Sequence, residues 1–207
     1  KSYLALYFAL LACHGAYQAG VSGIKTPVLY LDWELNRDTV GGRLKALQIG
    51  HPELAHVLPY YRRCEAPLHQ EAHKIAADVA ERKIKLVILD SAAMACGGDL
   101  SSPDAAIGLQ RALRKIACAS LLLAHVAKNV QEGQQATAYG SVFFRELARN
   151  VWELTKASDT NPVQVLLTQH KDNFSPRHEP LGFALHFERE AVRVSACNID
   201  DQPDFEA

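Results

Sequence analysis

Hydrophobic positions in this chain form two kinds of pattern that alternate along it: short unbroken apolar runs of strand length, and longer stretches with helical spacing. The first long stretch, residues 4–19, is uncharged and rich in Ala and Leu. It predicts a helix buried around most of its circumference, with Gly15 and Gly20 near its stop. Its most apolar part, 3–13, is shorter than the roughly 18 residues that suggest a membrane span. A linker over 21–26 leads to Val28-Leu29-Tyr30-Leu31-Asp32, a strand of the kind covered on both faces in a parallel sheet. An amphipathic helix is expected over 37–48, a short strand around 57–61 and a helix over 69–83. The run 85–90 is the second clear strand, and after a loop holding Gly97, Gly98 and Pro103 come a helix at 104–118 and an apolar strand at 119–124. A polar loop over 126–138 and a helix over 140–149 precede strands at 151–154, 163–169, 183–187 and 191–195. Strands alternating with helix-length crossovers predict an α/β fold: a mostly parallel sheet flanked by helices, with antiparallel strands at the C-terminal end.

Composition narrows this picture. With 207 residues and 48% hydrophobic content, one domain over 1–199 is expected, followed by an acidic tail at 200–207 that is expected to be disordered. A formal net charge of -1 excludes binding of nucleic acid by bulk basic charge, though not by a local site. The five cysteines include no CxxC pair, and four sit among apolar or small residues, which suits buried thiols in a reducing, cytoplasmic setting. The chain opens on Lys1 and has Met94 as its one methionine, so its first residue is expected not to be the native start.

Candidate chemistry lies at the strand ends, because ligands of open α/β sheets bind beyond the carboxyl edges of the strands. Asp32 with Glu34, Asp90 with Ser91, and His125 stand at three strand ends. Two carboxylate sites and an imidazole suit a magnesium nucleotide, since magnesium is held by few protein oxygens and a carboxylate can orient a water toward the terminal phosphate. Asp32 and Glu34, two apart, would point to the same side of an extended chain. Lys1-Ser2 leads straight into the first helix, as the last two residues of GxxxxGK[ST] do. An aspartate closing a strand is also common for plain capping reasons, so each feature alone has a structural reading too.

Taken in order, KSYLALYFALLACHG, VLYLDWE, KLVILDSAA, LLLAHVAKN and GSVFFRELARNVWEL resemble the RecA-like P-loop ATPases. Within them the chain is similar to the AAA-family ATPases near the RepA-type hexameric replicative helicases, over nearly its whole length. The resemblance implies a RecA-like core that lacks its first strand and most of the phosphate loop, with ATP and magnesium as ligands. It implies that Lys1 contacts the β- and γ-phosphates, that Ser2 binds magnesium and that Asp90 holds magnesium through water. Glu34 would activate the hydrolytic water, and His125 would sense the γ-phosphate. Such motors complete each site with a basic finger from a neighbouring subunit; Lys171 matches best, with Arg149, Arg145 and Arg177 as alternatives. An arginine often found two residues beyond Lys171 is Asn173 here. Two loops that face DNA in this fold, 95–103 and 126–139, carry almost no Lys or Arg, which argues for weak contact with single-stranded DNA. The expected function is therefore an ATP-hydrolysing motor domain, a helicase or replication ATPase of plasmid or phage type acting as a hexamer. The alternative is a nucleotide-binding assembly module without productive turnover.

The remaining candidates carry less. His69 and His73, four apart, could share a metal but have no cysteine partners at zinc spacing. Ser91 and Ser141 lack a hydrolase elbow, and Trp33 and Trp152 read as packing residues.

Overall fold

The computed structural model describes residues 1–98, 102–125, 142–158 and 160–198. The loop expected over 126–138, the start of the helix expected at 140 and the tail 200–207 lie outside them.

The chain opens with α1 (Ser2–His14), whose Leu6, Tyr7, Ala9 and Leu10 are fully buried, as its uncharged composition predicts. Each such leucine contributes about 1.5–3 kcal/mol by leaving water. The helix ends earlier than expected. Gly15 takes a left-handed conformation (φ 80, ψ 32) and its N–H bonds Leu11 O, while a Cβ there would lie 2.8 Å from Lys25 Cβ. Residues 17–22, expected as helix and linker, instead pair as the hairpin β1 (Tyr17–Gln18) and β2 (Val21–Ser22). The turn residues Ala19 and Gly20 both have positive φ. Primed two-residue turns need that conformation, but alanine at the first position hides the signal.

Four strands form a parallel sheet in the order β4-β3-β5-β6: β3 (Val28–Asp32), β4 (Tyr60–Arg63), β5 (Leu86–Asp90) and β6 (Ala119–Leu123). Between them run α2 (Arg37–Gly50), α3 (Leu68–Glu81), the short α4 (Ala92–Cys96) where a loop is expected, and α5 (Pro103–Ile116). Asn36 caps α2 by accepting from Thr39 N at 2.8 Å. Alternate strand residues face opposite ways, so Val28, Tyr30 and Ile88 join α1 and α2 in one core, while Leu29, Leu31, Val87 and Leu89 join α3 and α5 in another. Continuous burial along β3 follows from helices on both faces.

After α6 (Val142–Leu147) the chain builds an antiparallel sheet, β10-β9-β8-β7, from β7 (Asn150–Lys156), β8 (Val163–Asp172), β9 (Leu181–Phe187) and β10 (Val192–Cys197). Phe183, Leu185, Val192 and Val194 from one of its faces enter the core of α1 and α2. Gly50, at the end of α2, lies so close to Val192 that a Cβ would sit 2.2 Å from its carbonyl oxygen. His51 follows and accepts from Val194 N at 2.9 Å; burial pushes its imidazole below the usual pKa, which keeps it a neutral acceptor.

Of the five cysteines only Cys64 and Cys96 are buried, and Cys13, Cys118 and Cys197 are half-buried, fewer than their apolar neighbours suggested. Burial pushes the Cys64 thiol up to about 12 and that of Cys96 to about 11. Among the described residues no helix is long and apolar enough to cross a membrane.

Candidate functional site

Parallel pairing in register sets Asp32 of β3 beside Asp90 of β5, and Asp90 beside Leu123 of β6. The three strand ends that the sequence singled out therefore share one edge of the sheet, and the N-terminus of α1 reaches the same place. Lys1 Nζ lies 2.7 Å from His125 Nε2. An ammonium only donates, so that nitrogen accepts. The same Nε2 is 3.7 Å from Glu34 Oε1, and Glu34 Oε1 also accepts a hydrogen bond from Ser91 Oγ. Lys1, His125, Glu34 and Ser91 thus form one chain of contacts across elements up to 124 positions apart in sequence. Ser2 is the first residue of α1 and stands beside them on the backbone.

Asp90 is fully buried, with its two oxygens treated differently. Oδ2 accepts from Tyr30 Oη at 2.7 Å, whereas Oδ1 has no hydrogen-bond partner among the described residues. Burial, and then the charge of Asp90, push the Tyr30 phenol far up, so Tyr30 remains a donor. An unspent carboxylate oxygen in a fully buried position is costly unless something else uses it. An acceptor of this hardness suits a magnesium ion or its water shell, so the residues present fit that cation.

Asp32 and Glu34 do not share a face as an extended chain would make them. The chain bends at Trp33: Asp32 turns inward and is fully buried, while Glu34 reaches the site with about a third of its side chain exposed. Asp32 Oδ1 accepts from Glu34 N at 3.0 Å and Leu35 N at 2.9 Å, and Oδ2 accepts from Tyr61 Oη at 2.9 Å. Burial and the bond to Asp32 raise the Tyr61 phenol to about 12. Asp32, grouped with Glu34 at the same strand end in the sequence, thus fixes the turn that presents Glu34. Trp33 packs in the core beneath, its indole N–H donating to Ala66 O at 2.9 Å.

The basic candidates lie apart from this cluster. Lys171 Nζ donates to Arg145 O at 3.1 Å and Glu146 O at 2.8 Å, closing the end of α6. Arg149 lies over the Phe174 ring, with Cζ 5.6 Å from its centroid, and Arg177 is exposed in the connection from β8 to β9. His73 Nε2 is engaged with Lys115 Nζ at 2.7 Å.

Sequence reasoning gave Ser91, Tyr30 and Tyr61 no role. For Tyr30 a signal existed: a tyrosine within an aliphatic strand buried on both faces needs a partner for its hydroxyl, and the strand-end carboxylates were the available acceptors. Ser91 stood next to a strand-closing aspartate, but its bond to Glu34 spans 57 positions and only the fold reveals it.

A family model described as the AAA domain matches residues 1–131, more than half of the chain. That span contains α1, the whole parallel sheet and all the clustered residues, and it ends before the antiparallel sheet. No curated protein matches the chain.

Proposed function

Because this chain belongs to the AAA domain family of nucleotide-binding ATPases, we propose that it binds ATP with magnesium at the edge bearing Glu34, Asp90 and His125, and hydrolyses it. The observation that carries this reading is the convergence of Lys1, His125, Glu34 and Ser91 in one chain of contacts beside a buried Asp90 oxygen that has no described partner.

Each residue contributes what its chemistry allows. Lys1 places an ammonium where the terminal phosphates would lie, and α1 directs its free N–H groups and the positive end of its dipole to the same point. Glu34, an acceptor, takes a hydrogen bond from the attacking water and polarises it; its bond to Ser91 and the turn fixed by Asp32 hold the carboxylate in one orientation. His125 accepts from Lys1 beside Glu34, so it is placed to sense the γ-phosphate and pass its loss to the following loop. Asp90 and Ser2 would hold the magnesium ion, which neutralises phosphate charge when bound. Lys1 and Ser2 then act as the closing residues of a phosphate loop.

We further assign this activity to a cytoplasmic motor of RepA-type helicase character, hexameric and working on single-stranded DNA. The test is ATP turnover by the intact protein with and without an oligonucleotide. Stimulation supports the motor assignment, and turnover indifferent to DNA removes it while leaving the ATPase reading intact. One observation favours a second reading, an assembly module that binds nucleotide without productive turnover: Lys171, the best match to the trans-acting finger, is already spent on the α6 carbonyls. Arg177, Arg149 and Arg145 are then the residues left for that role. Nucleotide binding without measurable turnover in the assembled protein would select this second reading.

A further inference from the structure

A groove with a cavity volume of about 610 Å³ runs along the outer side of β4, between α2 and α3, and meets the strand-end site at Tyr61, which donates to Asp32. Its apolar part includes Val40, Leu44 and Leu58, the last 61% exposed. Its charge is one-sided. Asp78 is the one carboxylate in the lining, and it is spent on Arg62 at 2.7 Å. Arg37, Lys45 and Arg82 are exposed, and among the described residues none of the three is in an ion pair. β4 is also the edge of its sheet, so no described strand pairs with its outer side.

We infer that this groove binds an extended acidic peptide segment of a partner protein, which adds a strand to β4 and seats an apolar side chain beside Leu58. A sheet edge offers main-chain donors and acceptors in a row, and pairing with it supplies affinity while the lined groove supplies specificity. Arg37, Lys45 and Arg82, none of them in an ion pair among the described residues, select carboxylates by charge complementarity. β4 is four residues long and follows Pro59, which limits indiscriminate pairing and sets a short docking segment. A nucleic acid fits less well. The rings that would stack bases each have a guanidinium over them, Arg82 at 4.9 Å from the Tyr60 centroid and Arg37 at 6.0 Å from that of Tyr61, and a sugar–phosphate chain makes no use of a strand edge.

The test is panning of a random nonapeptide library displayed on phage against the intact protein, followed by titration of a fluorescein-labelled selected peptide. The expected result is enrichment of sequences with Asp or Glu flanking one apolar residue. Their binding should weaken at least tenfold in Arg37→Glu/Arg82→Glu and disappear when alternate peptide nitrogens are methylated in one register. Lys45→Glu, on an exposed position of α2, serves as a second variant should the double one fail to fold. Absence of acidic enrichment, or selected peptides that bind the folded charge-reversed variants unchanged, overturns the inference. So does a labelled oligothymidylate that binds with the same variant dependence while no acidic peptide is selected.

Discussion

A buried polar side chain from each sheet, Gln169 in the antiparallel one and Asp90 in the parallel one, separates architecture from chemistry. In the antiparallel sheet Gln169 is 3% exposed and fully used: its Nε2 donates to Asn150 Oδ1 and Asp172 Oδ2, and its Oε1 accepts from His178 N. In the parallel sheet Asp90 is completely buried and half used, with Oδ2 on Tyr30 and Oδ1 on nothing described. A satisfied buried amide ties a strand to its loop. An unsatisfied buried carboxylate at a strand end is a cost that a bound cation can offset, and it lies within the span matched by the AAA domain family, whereas Gln169 lies outside it.

The largest effect that sharpens this contrast is expected from Asp90→Asn. Asparagine still accepts from Tyr30 but removes the negative charge, so magnesium-dependent turnover should fall by about 100-fold or more while the unfolding midpoint in urea barely moves. Unchanged turnover at saturating magnesium would break the contrast. The reverse outcome is expected from Gln169→Leu, which deprives Asn150, Asp172 and the His178 N–H of their partner. Urea denaturation should show a loss of about 1–3 kcal/mol with nucleotide binding retained. If nucleotide affinity fell with stability preserved, Gln169 would belong to the site.

The smallest effect concerns the seam between the sheets, where His51 accepts from Val194 N. Its folded-state pKa is below its ordinary value because of burial, so the unfolded chain binds the extra proton more readily. The stability it contributes is therefore complete above about pH 6.5 and is lost as pH falls from there through the folded-state pKa. Melting temperatures across that range should drop more steeply for the native chain than for His51→Gln, which keeps an acceptor but does not titrate. Equal slopes would remove His51 from the acid response.

Legibility followed the same division. In the parallel sheet the central strands β3 and β5 are buried almost throughout, so they stand out as apolar runs, and chemistry can surface only where they end; Glu34 and Asp90 were readable for that reason. The antiparallel strands are half-covered, and their polar residues continue past the apolar ones, so β8 runs to Asp172 rather than stopping at 169. The β1–β2 hairpin stayed hidden behind an alanine with positive φ, and α4 behind its five-residue length. Within the site, the roles of Asp32, Ser91 and Tyr61 depend on a bend after β3 and on strand register, and neither leaves a periodic trace in the sequence.

Water activation by the Glu34 carboxylate, at a nucleotide site built with Lys1, Asp90 and His125, stands or falls with Glu34→Gln in the intact protein. Glutamine keeps an acceptor for Ser91 and removes the charge that polarises water. Magnesium ATP should bind with affinity within a few-fold of the native protein, while single-turnover hydrolysis falls by about 10²–10⁴-fold. Hydrolysis at the native rate, with ATP equally well bound, would contradict the account.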